Sequence, residues 1–144
     1  MTPKKIIVHH SGTDDGPGSS VAAIRRFHTD PPPRGRGWTD IGYHALVERI
    51  GDSYEAFYGR QEHIPGAHTF GQNSCSLGIC LVGNFQMESP PIEQLRVASK
   101  VVAAWLVKYN IPATELYRHS YFADTDCPGD WFDLEQFRAM VMEW

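Results

Sequence analysis

The chain has 144 residues, 42% of them hydrophobic and 21% charged, which suits one globular domain and leaves two independent domains too little chain. Its formal charge of -4 and pI near 5.9 exclude a nucleic-acid binder that works through clustered Lys and Arg, and disfavour attraction to a membrane surface. Folding at this length buries roughly 68–70% of the unfolded chain's surface, so a metal is not needed for stability and any metal is expected to serve chemistry.

Lys5 to His10 is a short β-branched run closed by Ser11-Gly12, and predicts a buried strand whose end delivers His9. A helix from about Ser20 to His28 follows, with Val21, Ile24 and Phe27 at helical spacing, a serine as N-cap and Pro31 to Pro33 as its stop. Ile41 to Ile50 and Tyr54 to Tyr58 flank the turn dipeptide Gly51-Asp52 and read as an antiparallel hairpin, with Tyr43, Ala45 and Val47 on one face by the period of two. Ser76 to Gly83 is nearly continuous in apolar residues, as a central strand covered on both faces requires. Ile92 to Tyr109 follows the 3.6 period, with Ser89-Pro90 as cap and first position and with Asn110 and Pro112 at its end. Leu116 to Phe122 is a strand or extended segment carrying His119, and Leu134 to Met142 a last helix. Strands and helices interleave, which predicts an α/β domain spanning residues 1–144, with a mixed sheet flanked by helices.

Met1 to His10 lacks a signal peptide's long apolar region, and no run approaches the roughly 18–20 residues of a membrane span, so synthesis in the cytoplasm is expected. Cys75, Cys80 and Cys127 are odd in number and form no Cys-x-x-Cys pair, which argues against a disulfide framework. Seven histidines stand against them. His9 ends one predicted strand, and His119 is followed eight residues later by Cys127-Pro128-Gly129. A His, His, Cys set with an open fourth position is the donor pattern of catalytic zinc, whereas structural zinc sites fill all four positions.

Five segments occur in one order: Ile7-Val8-His9-His10-Ser11; Gly37-Trp38-Thr39-Asp40-Ile41-Gly42-Tyr43-His44; Gly66-Ala67-His68; Asn73 through Leu81-Val82-Gly83-Asn84-Phe85; and His119 through Thr125-Asp126-Cys127-Pro128-Gly129. Together they resemble the type 2 N-acetylmuramoyl-L-alanine amidases, a family that includes amidase-type phage lysozymes and peptidoglycan recognition proteins. The resemblance spans about Lys5 to Phe132. It implies a zinc hydrolase with the peptidoglycan recognition protein-like fold, cutting the amide between the lactyl group of N-acetylmuramic acid and L-Ala of bacterial peptidoglycan. By the same resemblance His9, His119 and Cys127 are the Zn²⁺ ligands and Tyr43 is the catalytic tyrosine, positioning or deprotonating the attacking water. Thr125 stands where phage lysozymes have lysine and active recognition proteins have threonine, and is expected to donate to the tetrahedral oxyanion. His68 is placed at the rim of the substrate groove, and Asn73 and Arg60 match positions that frame it.

Adjacent strand residues point to opposite faces, so His10 and His44 are expected to pack or hydrogen-bond behind the site, and Cys80 to be a small buried apolar residue. His28 and His63 carry no motif and are expected to be solvated. Three other readings remain. A muropeptide-binding domain without activity is disfavoured by Cys127 and Tyr43, and a cytosolic amidase recycling anhydro-muropeptides carries aspartate where Cys127 stands. A structural zinc protein of the same fold is told apart only by turnover. A monomeric phage or prophage endolysin, released to act on the cell wall, fits the sequence, and an effector exported by another route fits it equally well.

Overall fold

A computed structural model describes residues 1–16 and 20–144. Its strands are β1 (Lys5–His10), β2 (Ala45–Ile50), β3 (Ser53–Tyr58), β4 (Ser76–Leu81) and β5 (Leu116–Arg118); its helices are α1 (Ser20–Thr29), α2 (Ile92–Tyr109) and α3 (Leu134–Met142). The strands form one sheet in the order β3-β2-β4-β1-β5. β1 runs parallel to β4 and β5, β2 runs parallel to β4, and only the β2–β3 hairpin is antiparallel. The mixed α/β architecture expected from the alternation of elements is therefore present.

The period of two divides the sheet into a packing face and a chemical face. Ile6 and Val8 of β1, Ala45 and Val47 of β2, and Leu77, Ile79 and Leu81 of β4 meet α2 and α3 in the larger core. Burying each Ile, Leu or Val of this set contributes about 1.5–3 kcal/mol. The alternate positions turn to the other side, where Leu46 and Cys80 join Val21, Ile41 and Val82 in a smaller cluster under α1. His9 follows Val8 and so faces this second side. The first residue of α1 is Ser20, and its cap position, residue 19, lies outside the described residues. The buried Glu48 of β2 reaches the start of α1, accepting from the N–H groups of Ser20 at 2.7 Å and Val21 at 3.1 Å. A carboxylate there satisfies two orphan donors and complements the helix dipole.

Four local expectations change. β2 begins at Ala45 and not at Ile41, and Tyr43 packs on the smaller cluster, opposite Ala45 and Val47. The ladder slips there: the successive N–H groups of Gly59 and Arg60 donate to the successive carbonyls of His44 and Tyr43, where a regular antiparallel ladder would alternate. The N-cap of α2 is Pro91, with no side-chain cap, in place of Ser89-Pro90. The Leu116 to Phe122 segment is strand only to Arg118, and a 3-10 turn, His119–Tyr121, takes over. His28 is buried, 8% exposed, because its Nδ1 accepts from the Gly42 N–H at 3.0 Å and its ring packs on Trp38.

Candidate metal centre and active site

In open α/β sheets ligands sit in the crevice beyond the carboxyl ends of the strands. β1 and β5 are parallel neighbours, with Val8 opposite Arg118, so His9 and His119 leave the sheet side by side. Their rings lie 4.4 Å apart between centroids. Cys127 returns to the same end on a loop: the Ser120 N–H donates to its carbonyl at 3.0 Å and the His10 N–H to its Sγ at 3.3 Å. Arg118 fastens that loop by donating to the carbonyls of Gly129 and Phe132, each at 2.6 Å. Gly129 has a φ of 104° and lies against the Phe85 carbonyl, where a Cβ would collide. One donor atom from each of His9, His119 and Cys127 then lies within 4.8 Å of the other two.

Without a cation these are three uncharged groups. Burial lowers the His9 and His119 pKa values and pushes the Cys127 thiol up to about 11. The Nδ1 of His119 is buried with no hydrogen-bond partner among the described residues, which is costly for a polar atom with nothing to do. A divalent cation would satisfy that nitrogen and stabilise the thiolate, and two imidazoles with one thiolate match a catalytic zinc donor set. The residues present therefore fit the metal.

The trio floors a cleft of about 630 Å³ that Tyr43, Thr125, His68 and Asn73 also line. The Tyr43 ring is 5.2 Å from that of His9, and burial, assisted by the neighbouring thiols of Cys80 and Cys127, raises its phenol pKa. Tyr43 also borders a second cavity of about 770 Å³ against α1. Thr125 Oγ1 accepts from the Cys127 N–H at 3.2 Å, which leaves its hydroxyl proton free. His68 does not stand at the rim: its ring is turned inward, with Nδ1 3.0 Å from His9 Nε2. Asn73 braces that turn, its Oδ1 accepting from the N–H groups of His68 and Thr69, both at 2.9 Å. Arg60 does not line the cleft. Its guanidinium is spent on the carbonyls of Ile41, Pro65 and Asp40, at 3.1, 2.9 and 3.2 Å, so it holds loops together.

His10 and His44 are both tied to backbone: the Phe85 N–H donates to His10 Nδ1, the Gly78 N–H donates to His44 Nδ1, and His44 Nε2 meets the Ile64 carbonyl. His63 is exposed and Cys80 is fully buried. Cys75 directly precedes β4 and Cys80 is its fifth residue, so at roughly 3.3 Å per residue they are too far apart for a disulfide, and all three thiols are free. Thr69, Trp38 and Arg36 also line the cleft and escaped the residue-level reading. Thr69 directly follows Gly66-Ala67-His68 and Trp38 lies within a quoted motif, so proximity in sequence was their available signal.

Burial, reinforced by the cations of Arg36 and Arg60, lowers the His28 pKa from 6.5 to about 4. Above pH 6.5 the ring is neutral folded or unfolded; between 6.5 and 4 only the unfolded chain takes the proton, so stability falls as pH falls through that window. His28→Asn keeps an acceptor for the Gly42 N–H but cannot titrate. Urea denaturation at pH 7 and pH 4.5 is expected to show the wild type losing about 1–2 kcal/mol more than this variant, after discounting for solvent screening. Equal losses would refute the assignment to His28.

A family profile described as N-acetylmuramoyl-L-alanine amidase matches residues 1–130. The chain is 34% identical over 139 residues to a human N-acetylmuramoyl-L-alanine amidase, covering 90% of this chain but only 23% of that protein. It is 34% identical over 142 residues to the endolysin of Enterobacteria phage T3, covering 94% of this chain and 85% of the endolysin. Among solved structures, N-acetylmuramoyl-L-alanine amidase LysC from Clostridium intestinale URNW is similar with a TM-score of 0.82 and 29% identity, covering 99% of this chain and 87% of that one.

Proposed function

Because the chain belongs to the N-acetylmuramoyl-L-alanine amidase family, we propose that it hydrolyses the amide between N-acetylmuramic acid and L-alanine in peptidoglycan, with zinc held by His9, His119 and Cys127. The observation that carries this reading is the convergence of three donor atoms within 4.8 Å on the floor of a cleft shared with Tyr43 and Thr125. Zinc there would supply Lewis acidity toward the scissile carbonyl and a means of ionising water near neutral pH.

The protein's own groups handle orientation and protons. Burial keeps the Tyr43 phenol neutral, so it acts as a hydrogen-bonding group that orients the attacking water, not as a standing phenolate. Thr125, whose oxygen already accepts from Cys127, can turn its free proton toward the oxyanion of the tetrahedral intermediate. The two neighbouring cavities, about 630 and 770 Å³, are of the size that ligand sites occupy and give room to the glycan and the stem peptide on either side of the bond. A complete donor set with an unpartnered His119 nitrogen favours this reading over a muropeptide binder without activity.

Zinc-loaded protein incubated with a defined muramyl peptide is expected to free the amino group of L-Ala, detected by amine labelling and mass spectrometry, and chelation is expected to stop release. No release, with zinc held and the three ligands intact, would overturn the proposal.

A further inference from the structure

We propose that His68 is a positioning residue that fixes the tautomer of His9: it accepts a hydrogen bond from the His9 Nε2–H and so leaves His9 Nδ1 bare toward the metal. The inference rests on the metal reading above and extends it to residues outside the donor set.

A neutral imidazole carries one proton, so the 3.0 Å contact between His9 Nε2 and His68 Nδ1 can run in only two directions. If His68 donates, the His9 proton must sit on Nδ1, the nitrogen that faces Cys127 Sγ at 3.8 Å, and there it competes with a cation. If His9 donates, Nδ1 offers its lone pair to the space between the three donors. The second arrangement is the one that a metal among the three donors requires. Thr69 Oγ1, 3.4 Å from His9 Nε2 and 3.0 Å from His68 Nδ1, is a hydroxyl that can serve it by accepting from His9. On the other side, the Cys127 thiol is a donor that an unprotonated Nδ1 can accept from.

The slot for the His68 ring is built with little slack. A Cβ added to Gly78 would come within 2.6 Å of the ring, and one added to Gly66 within 2.5 Å. Neither glycine has a positive φ, so each is glycine for room and not for backbone conformation. His44 stands edge-on to the ring at 5.8 Å, and the Asn73 side chain pins the backbone of His68 and Thr69. In this orientation the His68 proton lies on Nε2, which is buried and meets no geometric hydrogen-bond criterion among the described residues. An apolar ring could fill the slot, and what histidine adds is the bond that its other nitrogen makes to His9. Metal-ligating histidines generally give their second ring N–H to such an acceptor, and losing it typically weakens metal binding about 10–100-fold.

The test compares His68→Leu, which fills the slot without an acceptor, with His68→Asn, whose Oδ1 can stand in for Nδ1. Zinc dissociation constants are measured by competition with a chromophoric chelator, and the His9 tautomer is read from ring ¹⁵N shifts in metal-free protein. We expect His9 of the wild type to carry its proton on Nε2. Zinc affinity is expected to fall about 10–100-fold in His68→Leu, with the His9 tautomers mixed, and to recover largely in His68→Asn. Unchanged affinity in a folded His68→Leu protein overturns the inference, as does a wild-type His9 protonated on Nδ1. So does a loss that His68→Asn fails to recover while the His9 tautomer is unaltered, because that loss is packing alone. If His68→Leu does not fold, the wild-type tautomer still decides. A wild type that holds no zinc defeats the metal reading, and the tautomer of its His9 then decides this inference separately.

Discussion

Replacing His119 with alanine is expected to lower amidase turnover more than about 10³-fold, a barrier increase of about 4 kcal/mol, without lowering the melting temperature of the metal-free protein. The two readouts separate because of how the ring is held. His119 is half-buried, its side chain makes no hydrogen bond among the described residues, and its Nδ1 is buried and idle. Removing such a ring deletes an unsatisfied polar atom, so the fold loses little. The metal site, by contrast, loses one of its three protein donors, and with it the Lewis acid on which hydrolysis depends. Metal content measured by mass spectrometry on the purified variant should fall together with turnover. Metal and turnover both retained in the variant would refute the ligand role, turnover without metal would refute the Lewis-acid reading, and a collapse in melting temperature would show that the ring is structural.

Tyr43→Phe is expected to reduce kcat about 10²–10³-fold while zinc stays bound and the melting temperature stays within a few degrees of wild type. The phenylalanine ring can keep the contacts at 5.2 Å to His9 and 5.7 Å to His28, so only the hydroxyl is removed. A hydroxyl acting on the transition state should appear in kcat, whereas one that only binds substrate should appear in KM. Full turnover with zinc bound would remove Tyr43 from the mechanism. A drop accompanied by zinc loss would move its role to the metal site.

Much of the fold was legible because the chain punctuates its elements strongly. Ile6-Ile7-Val8 between lysines and histidines marked β1, the bounds of which, Lys5–His10, match the run. Leu134 to Met142 was bounded as found, and Asn110 closes α2 in the left-handed conformation, φ 53°, that an asparagine tolerates. The failures have a shared physical origin in contacts distant in sequence. Tyr43 changed face because the pairing with Gly59 and Arg60 slips, and no window of local sequence registers a slip on the partner strand. His28 lost its solvent to Gly42, fourteen residues away, and Arg60 was drawn from the groove by three backbone carbonyls. The donor types of the metal centre were visible, but spacing left their convergence open. Only the ordered motifs tied His9 to His119 and Cys127, and the structure brings these three together.

The separation of 118 positions between His9 and Cys127 also sets an order of events during synthesis. β1 is made before the other four strands, yet it cannot complete the sheet edge until Leu116–Arg118 arrives to pair with Ile6 to Val8. The β2–β3 hairpin and the long helix that covers the packing face are made well before then. A nascent or truncated chain ending ahead of residue 116 therefore holds most of the hydrophobic core but neither the second imidazole nor the thiol. Metal capture and catalytic competence thus wait for the segment that carries His119 and Cys127, made after β1 to β4 and α2 and joined to a lone first ligand.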